Sequence, residues 1–255
     1  MNLIIKIIRH PRKAFKAFNY RLLSALGHSN FKRFIVLSRS RTGSSMLITF
    51  LNSHPNIHAV WGIFQTLNGR NYKDVLAKTF GKEPYYIKAK GFKIFYYHPE
   101  DDKSNDIWEK FMDMDNLRVI HLKRRNILCT LISRKIAGIQ DVWLVSSPDR
   151  IISKNKAVTF TVKELEEGFE QTRKWEKYGD EMFKNHPLVS VYYEDLENDP
   201  EGTFGKITDF LDVRYVRPKT NLSKLNPERL RDLVINYNEL KTAFSGTEWQ
   251  PFFEE

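Results

Sequence analysis

The sequence predicts an α/β domain with a mostly parallel central sheet. Short apolar, β-branched runs alternate with longer amphipathic segments along most of the chain. That is the pattern of strands joined by crossover helices. Twice, a strand-like run passes through a polar turn bearing arginine into a helix-like pattern, at FIVLSRSRTGSSMLITFL and at RVIHLKRRNILCTLISRK. The 255 residues suffice for a substantial buried core. No internal repeat, low-complexity tract or linker divides them, so one domain over residues 34–255 is expected, preceded by an arm of residues 1–33.

The arm, beginning MNLIIKIIRHPRKAFKAFNYRLLSALG, holds eight Lys or Arg and no acid up to Arg33. The remainder carries 33 basic and 31 acidic residues, although the whole chain has net charge +10. A nucleic-acid-binding domain more often spreads its basic residues over the fold, so nucleic acid is not the expected partner. The arm is too short and too interrupted by charge to span a membrane, and its apolar runs are shorter than a signal-peptide core. Apolar and basic positions alternate as in an amphipathic helix broken near Pro11. Such an arm suits either a basic helix packed on the domain and solvated on one side or contact of residues 1–30 with an anionic membrane face, and both readings stay open.

Phe34–Leu37 reads as a short buried strand. SRSRTG is its turn, with Ser44 or Ser45 available as N-cap. SSMLITFLNS follows as a helix that His54-Pro55-Asn56 stops. Ile57–Val60 is a second strand, Tyr72–Phe80 a helix, and GFKIFYY a strand that ends at His98. A helix near Ile107–Met114, the strand Leu117–Leu122 and the helix ILCTLISRKIA come next. Residues 138–158 form a long irregular stretch, the kind that serves as a lid or substrate wall. A charged helix then starts at Thr161, with Glu164 completing a capping box. PLVSVYY is the last strand, DPEGTFGKITDFLDV a helix, and PERLRDLVINYNEL one further helix.

Three places carry chemistry. A strand, a glycine-bearing turn and a helix N-terminus gather backbone N–H groups around one point. There Arg41 adds a forked cation, and Thr42, Ser44 and Ser45 add hydroxyls beside Gly43. The second turn, KRRN, places cations at a helix start, which opposes the helix dipole and points to an anionic partner. Its Arg125 and Ser133 are eight residues apart, roughly 12 Å along a helix axis, so they meet one phosphate only if Arg125 folds back. The third is His98, at a strand end where ligands of parallel sheets collect. No metal is expected, because the histidines lack metal-ligand spacing and the single Cys129 excludes a cysteine-rich zinc site. Cys129 reads as core. One cysteine permits no intrachain disulfide and suits a reducing, cytoplasmic compartment.

Taken together, SRSRTGSSML, LNSHPNI, GFKIFYYH, VIHLKRRNILCTLISRKIA, VYYEDLENDPEG with ITDFLDV, and INYNEL with GTEW resemble the sulfotransferases that use 3′-phosphoadenosine-5′-phosphosulfate (PAPS). The closest likeness is to the bacterial carbohydrate enzymes of the nodulation-factor and lipopolysaccharide type, from about Phe34 to the C-terminus. The resemblance implies a P-loop-like three-layer sandwich and a metal-free transfer of the sulfuryl group to a carbohydrate or glycolipid hydroxyl, leaving adenosine 3′,5′-bisphosphate (PAP). It implies that Arg41–Ser45 hold the 5′-phosphosulfate and that Arg125 and Ser133 bind the 3′-phosphate. The basic arm would then hold the enzyme at the inner membrane face.

One departure stands out. Relatives carry a Gly-Glu pair, whose Glu is the proposed base, where this chain has Trp61-Gly62. His98 is the first substitute, with His58 and Glu100 behind it, and Trp61 is placed to stack on a sugar face. Two other readings stay open. One is a non-catalytic PAPS- or PAP-binding relative, which Gly62 suggests. The other is a P-loop nucleotide or sugar kinase, although the Lys-Ser/Thr pair is absent.

Overall fold

Strand β1 (Lys32–Ser38) runs through the centre of the molecule and is buried from Phe34 to Ser38. The computed structural model describes residues 11–140, 156–220, 222 and 228–254. Four further strands pair in parallel with β1 or its neighbours: β2 (Ile57–Val60), β3 (Ala89–Phe95), β4 (Arg118–Lys123) and β5 (Leu188–Tyr192). The order across the sheet is β2-β3-β1-β4-β5. The chain thus fills one side of β1, then crosses to the other. Open parallel sheets bind ligands beyond the carboxyl ends near such a reversal.

Both faces of the sheet are covered, as a parallel sheet requires. Phe34 and Val36 pack with Leu47, Ile48 and Leu51 of α2 (Ser44–Ser53) and Phe204 of α8 (Pro200–Phe210). Ile35 and Leu37 point the other way, into Phe64, Phe92 and Phe111. Phe111 belongs to α4 (Asp106–Met112), and α3 (Tyr72–Thr79) adds Leu76 to the same cluster. A third cluster joins α5 (Ile127–Gln140) and α6 (Val162–Met182) to the C-terminal Tyr237, Trp249 and Phe253. The capping box that opens α6 is complete, with Thr161 and Glu164 bonded reciprocally. A short helix α7 (Tyr193–Asn198) leaves the end of β5.

Two expectations change. The tail is not one helix: it forms α9 (Leu230–Leu233) and α10 (Tyr237–Ala243), ahead of a 3₁₀ turn at Gln250–Phe253. Between them Val234 makes a parallel bridge to Val158. Val158 donates to Leu233 O and Ile235 donates to Val158 O, both at 2.9 Å. This pairing draws the β-branched Val234-Ile235 out of the helix, tertiary context overriding helical pattern. Helix α5 also runs three residues past Ala137, to Gln140. The remainder of the expected irregular stretch, residues 141–155, lies outside the described residues.

Residues 1–10 of the arm also lie outside them. Helix α1 (Pro11–Ala25) starts at its proline, where a missing N–H is not needed. Its far end is tied to the domain. Tyr20 hydrogen-bonds to Glu83 and, at 2.8 Å, to His58 Nδ1. His28 and Glu83 exchange backbone bonds at 2.9 and 2.8 Å. No helix among the described residues is long and apolar enough to cross a membrane.

Candidate functional site

The first turn leaves the carboxyl end of β1. Arg41 (φ 69°) and Gly43 (φ 88°) both adopt left-handed backbone, which turns successive N–H groups toward one side. A Cβ at Gly43 would stand 2.2 Å from Cδ2 of Tyr193, so only glycine fits. Gly43 itself takes the cap position of α2, with no side-chain cap bond. The serine cap allowed by the sequence is therefore not formed, and the helix N-terminus faces the turn with its own N–H groups.

The second turn lies beside it. Arg124 stacks on Tyr193, 4.4 Å from the ring centroid, and donates to Arg41 O at 3.3 Å. Arg41 Nε donates to Ser133 Oγ at 3.0 Å. Burial, and then Arg124, lower the pKa of Arg41. Arg125 turns outward, gripping Asp195 with two bonds of 2.6 and 2.9 Å and stacking on Tyr192. Of the expected pair Arg125 and Ser133, only Ser133 faces the cavity, and Arg41 is the arginine upon it.

The end of β3 supplies the third wall. Lys93 Nζ sits 5.2 Å above Trp61 and 5.3 Å above Phe95. Burial, then the nearby Arg41, lower its pKa to about 8. His98 is buried, and burial followed by Lys93 lowers its pKa to about 4. Its Nδ1 accepts the Phe95 N–H at 3.4 Å, and its Nε2 lies 3.7 Å from Glu100 Oε1. Behind this wall a buried chain holds Tyr96: its hydroxyl meets His121 Nε2 at 2.6 Å, and His121 Nδ1 meets Asp180 at 2.7 Å.

These walls enclose a cavity of about 1170 Å³. Arg41, Gly43, Ser44, Ser45, His98 and Ser133 line it. Thr42 is buried within its turn and lies off the lining. His58, bonded to Glu83 at 3.0 Å, belongs to the cluster that anchors α1 and also lies off it. Cys129, expected in the core, is half-buried and lines the cavity, because α5 runs along its edge. Sequence reasoning missed Lys93 and Arg124. Two adjacent arginines in KRRN gave no means of choosing between them, and Lys93 read as one residue of a strand.

The wall is cationic, with Arg41, Lys93, Arg124 and Arg134 on it. Among the described residues, Ser40 Oγ and Arg124 Nε are buried without a hydrogen-bond partner, although Arg124 Nε lies 3.9 Å from Glu194 Oε1. Buried polar groups are nearly always paired, so two orphaned donors beside one cavity mark a place for ligand oxygens. Among the described residues, no group of three or more His, Cys, Asp or Glu could hold a metal.

No protein-family model matches the chain. Nodulation protein H of Rhizobium tropici is 27% identical over 241 residues, covering 87% of this chain and 92% of that protein. A crystal structure of a sulfotransferase from Alicyclobacillus acidocaldarius superposes with a TM-score of 0.51 at 14% identity, covering 86% of this chain and 91% of its own. That likeness is one of fold. A mouse sulfotransferase, SULT7A1, complexed with PAP, gives a TM-score of 0.43 at 14% identity, over 89% of each chain.

Proposed function

We propose that the chain is a sulfotransferase, as its likeness to Nodulation protein H supports, and that it moves the sulfuryl group of PAPS to a hydroxyl of a carbohydrate or glycolipid. The observation that carries this reading is the pair of joined arginine turns. Arg41 bonded to Ser133, with Arg124 bonded to Arg41 O, makes one cationic floor from two strand ends. A nucleotide with anionic groups at both ends of its ribose suits such a floor, and the orphaned Ser40 Oγ and Arg124 Nε suit its oxygens.

PAPS supplies the activated sulfuryl group, and the protein supplies position and charge. Arg41, Ser44, Ser45 and the N–H groups at the start of α2 stabilise the negative charge that builds on the transferring group and the departing phosphate. Ser133, with Arg124 and Arg125, takes the 3′-phosphate. Arg125 reaches it by exchanging Asp195 for phosphate; an exposed ion pair is worth only about 0–1 kcal/mol, so the exchange costs little. His98 orients the acceptor, and Trp61, 42% exposed, offers its face to a sugar ring. Nodulation protein H as a relative supports a carbohydrate-type acceptor.

The arm completes the reading. Helix α1 turns Tyr20 toward the domain and leaves Phe15, Phe18 and Leu22 exposed along one stripe, with exposed Leu26 just past its end. With the basic residues of the arm, this stripe suits the anionic inner face of a membrane, where a glycolipid acceptor would be met. Replacing Phe15, Phe18 and Leu22 with serine should release the protein from anionic vesicles, as judged by co-sedimentation. Unchanged binding discards the membrane contact.

The donor assignment is tested by thermal shift with PAP against ATP and Mg²⁺, and by transfer from ³⁵S-labelled PAPS to a panel of oligosaccharides. Stabilisation by PAP and a labelled product are expected. Stabilisation by ATP with Mg²⁺ alone would favour a kinase. PAP binding without any transfer would favour a non-catalytic relative, the reading Gly62 suggests.

A further inference from the structure

Resting on that reading, we infer that Glu100 is the group that takes the proton of the acceptor hydroxyl, and that His98 positions it. The segment Gly62–Asn68 carries no acidic side chain. It is, however, stitched to the loop after β3. Glu100 N–H donates to Gln65 O at 2.9 Å, and Asp101 accepts from the N–H groups of Leu67 and Asn68, each at 2.7 Å. This stitching brings a carboxylate from the neighbouring loop to the part of the cavity wall where Gln65, His98 and Lys93 meet.

The other carboxylates on the wall are placed differently. Glu228 is tied to Lys156 at 2.8 Å, Glu254 accepts from Gln250 at 3.3 Å, and Glu197 belongs to α7 on the side of the Arg124 turn. Glu100 stands with the acceptor-side residues and is half-exposed to the cavity.

The tautomer of His98 divides the labour. Its Nδ1 already accepts the Phe95 N–H. In the neutral ring the proton then sits on Nε2, which faces Glu100 Oε1 at 3.7 Å. A ring in that state donates at Nε2 and has no lone pair there for a substrate proton. A carboxylate has lone pairs to spare: one oxygen can face His98 while the other accepts from the acceptor hydroxyl. In the step, the acceptor O–H bond breaks and its proton passes to Glu100. The acceptor oxygen bonds to sulfur, the bond from sulfur to the donor phosphate oxygen breaks, and its electron pair stays on PAP.

The experiment compares wild type, Glu100→Gln, Glu100→Asp, His98→Asn and His98→Phe. Each is assayed for PAP affinity by calorimetry, and for kcat and KM with PAPS and the best oligosaccharide of the panel. Glu100→Gln should lose about 10²–10⁴-fold in kcat, the usual worth of a general base, with PAP affinity unchanged. Glu100→Asp should recover part of that loss. His98→Asn keeps an N–H donor and should lose less than His98→Phe, whose kcat should fall about five- to tenfold, the worth of the one hydrogen bond that forms when Nε2 closes on Glu100 from 3.7 Å. PAP binding together with wild-type turnover by Glu100→Gln overturns the assignment alone. Failure of the wild-type chain to bind PAP overturns the donor reading and this inference with it.

Discussion

Replacing Gly43 with alanine tests the geometry of the first turn most directly. Two costs arise. A side chain at φ 88° enters left-handed backbone, at roughly 1–2 kcal/mol. The new Cβ also stands 2.2 Å from Tyr193 Cδ2 and 2.9 Å from Cε2, so the ring or the turn must shift. Overpacking of this kind costs about 1–3 kcal/mol. The expected loss is therefore about 2–5 kcal/mol, read from urea unfolding midpoints at constant m. Tyr193 also carries the Arg124 guanidinium 4.4 Å above its ring, so the same change should weaken PAP binding. A Tyr193→Ala background separates the terms: without the ring, Gly43→Ala should cost only the backbone share, about 1–2 kcal/mol. Unfolding of Gly43→Ala within about 0.5 kcal/mol of wild type, the scatter of an ordinary surface change, would refute the reasoning. An equal cost in both backgrounds would refute the contact with Tyr193.

Glu176 has its pKa raised to about 7, chiefly by burial, against the opposing pull of Lys123. Its folded state holds the proton more tightly than the unfolded chain, so its contribution is complete below about pH 4.5 and is lost as pH rises through about 7. Glu176→Gln should match wild type near pH 4.5 and exceed it by about 2 kcal/mol at pH 8, measured by urea unfolding; a lower stability of the variant at pH 8 would contradict the sign. Asp195→Asn releases Arg125 and should tighten PAP binding up to about fivefold with little change in stability, the worth of one exposed ion pair. Arg125→Ala should weaken PAP binding at least tenfold, a charged hydrogen bond lost. Calorimetry that finds both variants equal to wild type would leave the 3′-phosphate to Arg124 and Ser133.

The central strands β1, β3 and β4 were legible because they are largely buried on both faces and so read as compact apolar runs. Phe34–Leu37, Ile57–Val60 and Leu117–Leu122 fall within or one residue from β1, β2 and β4. The capping box at Thr161 was legible because it is a local code. The tail was not, because the bridge between Val234 and Val158 is made across 76 residues and leaves no periodic trace. The site divides in the same way. Residues on turns that leave central strands, such as Arg41, Ser44 and Ser45, were found from the strand-turn-helix layout. The choice between Arg124 and Arg125 was hidden, because it depends on Tyr193 and Asp195, which arrive from the far end of the chain. Glu100 ranked low for a related reason: its nearness to Gln65 is a tertiary fact.

The two ends of the cavity rest on different parts of the sheet. The proposed donor floor comes from the turns after β1 and β4, which pair directly in the middle of the sheet over the register Phe34–Arg118 to Leu37–His121. Both strands are buried on both faces, so neither turn can shift without disturbing the core. The proposed acceptor side draws on Trp61 after the edge strand β2 and on the loop after β3. An edge strand has one neighbour, so the β2 end of this side is less constrained than the floor. On the proposed reading, the rigid floor suits the nucleotide and the more adaptable side suits the acceptor. The same division would let Gly62 stand where the family resemblance expects a carboxylate while the proposed donor floor is kept. Among the described residues a Cβ at Gly62 would meet nothing within 4 Å, but its φ of 26° favours glycine, so on the proposed reading backbone conformation holds glycine there and the loop bearing Glu100 supplies the carboxylate instead.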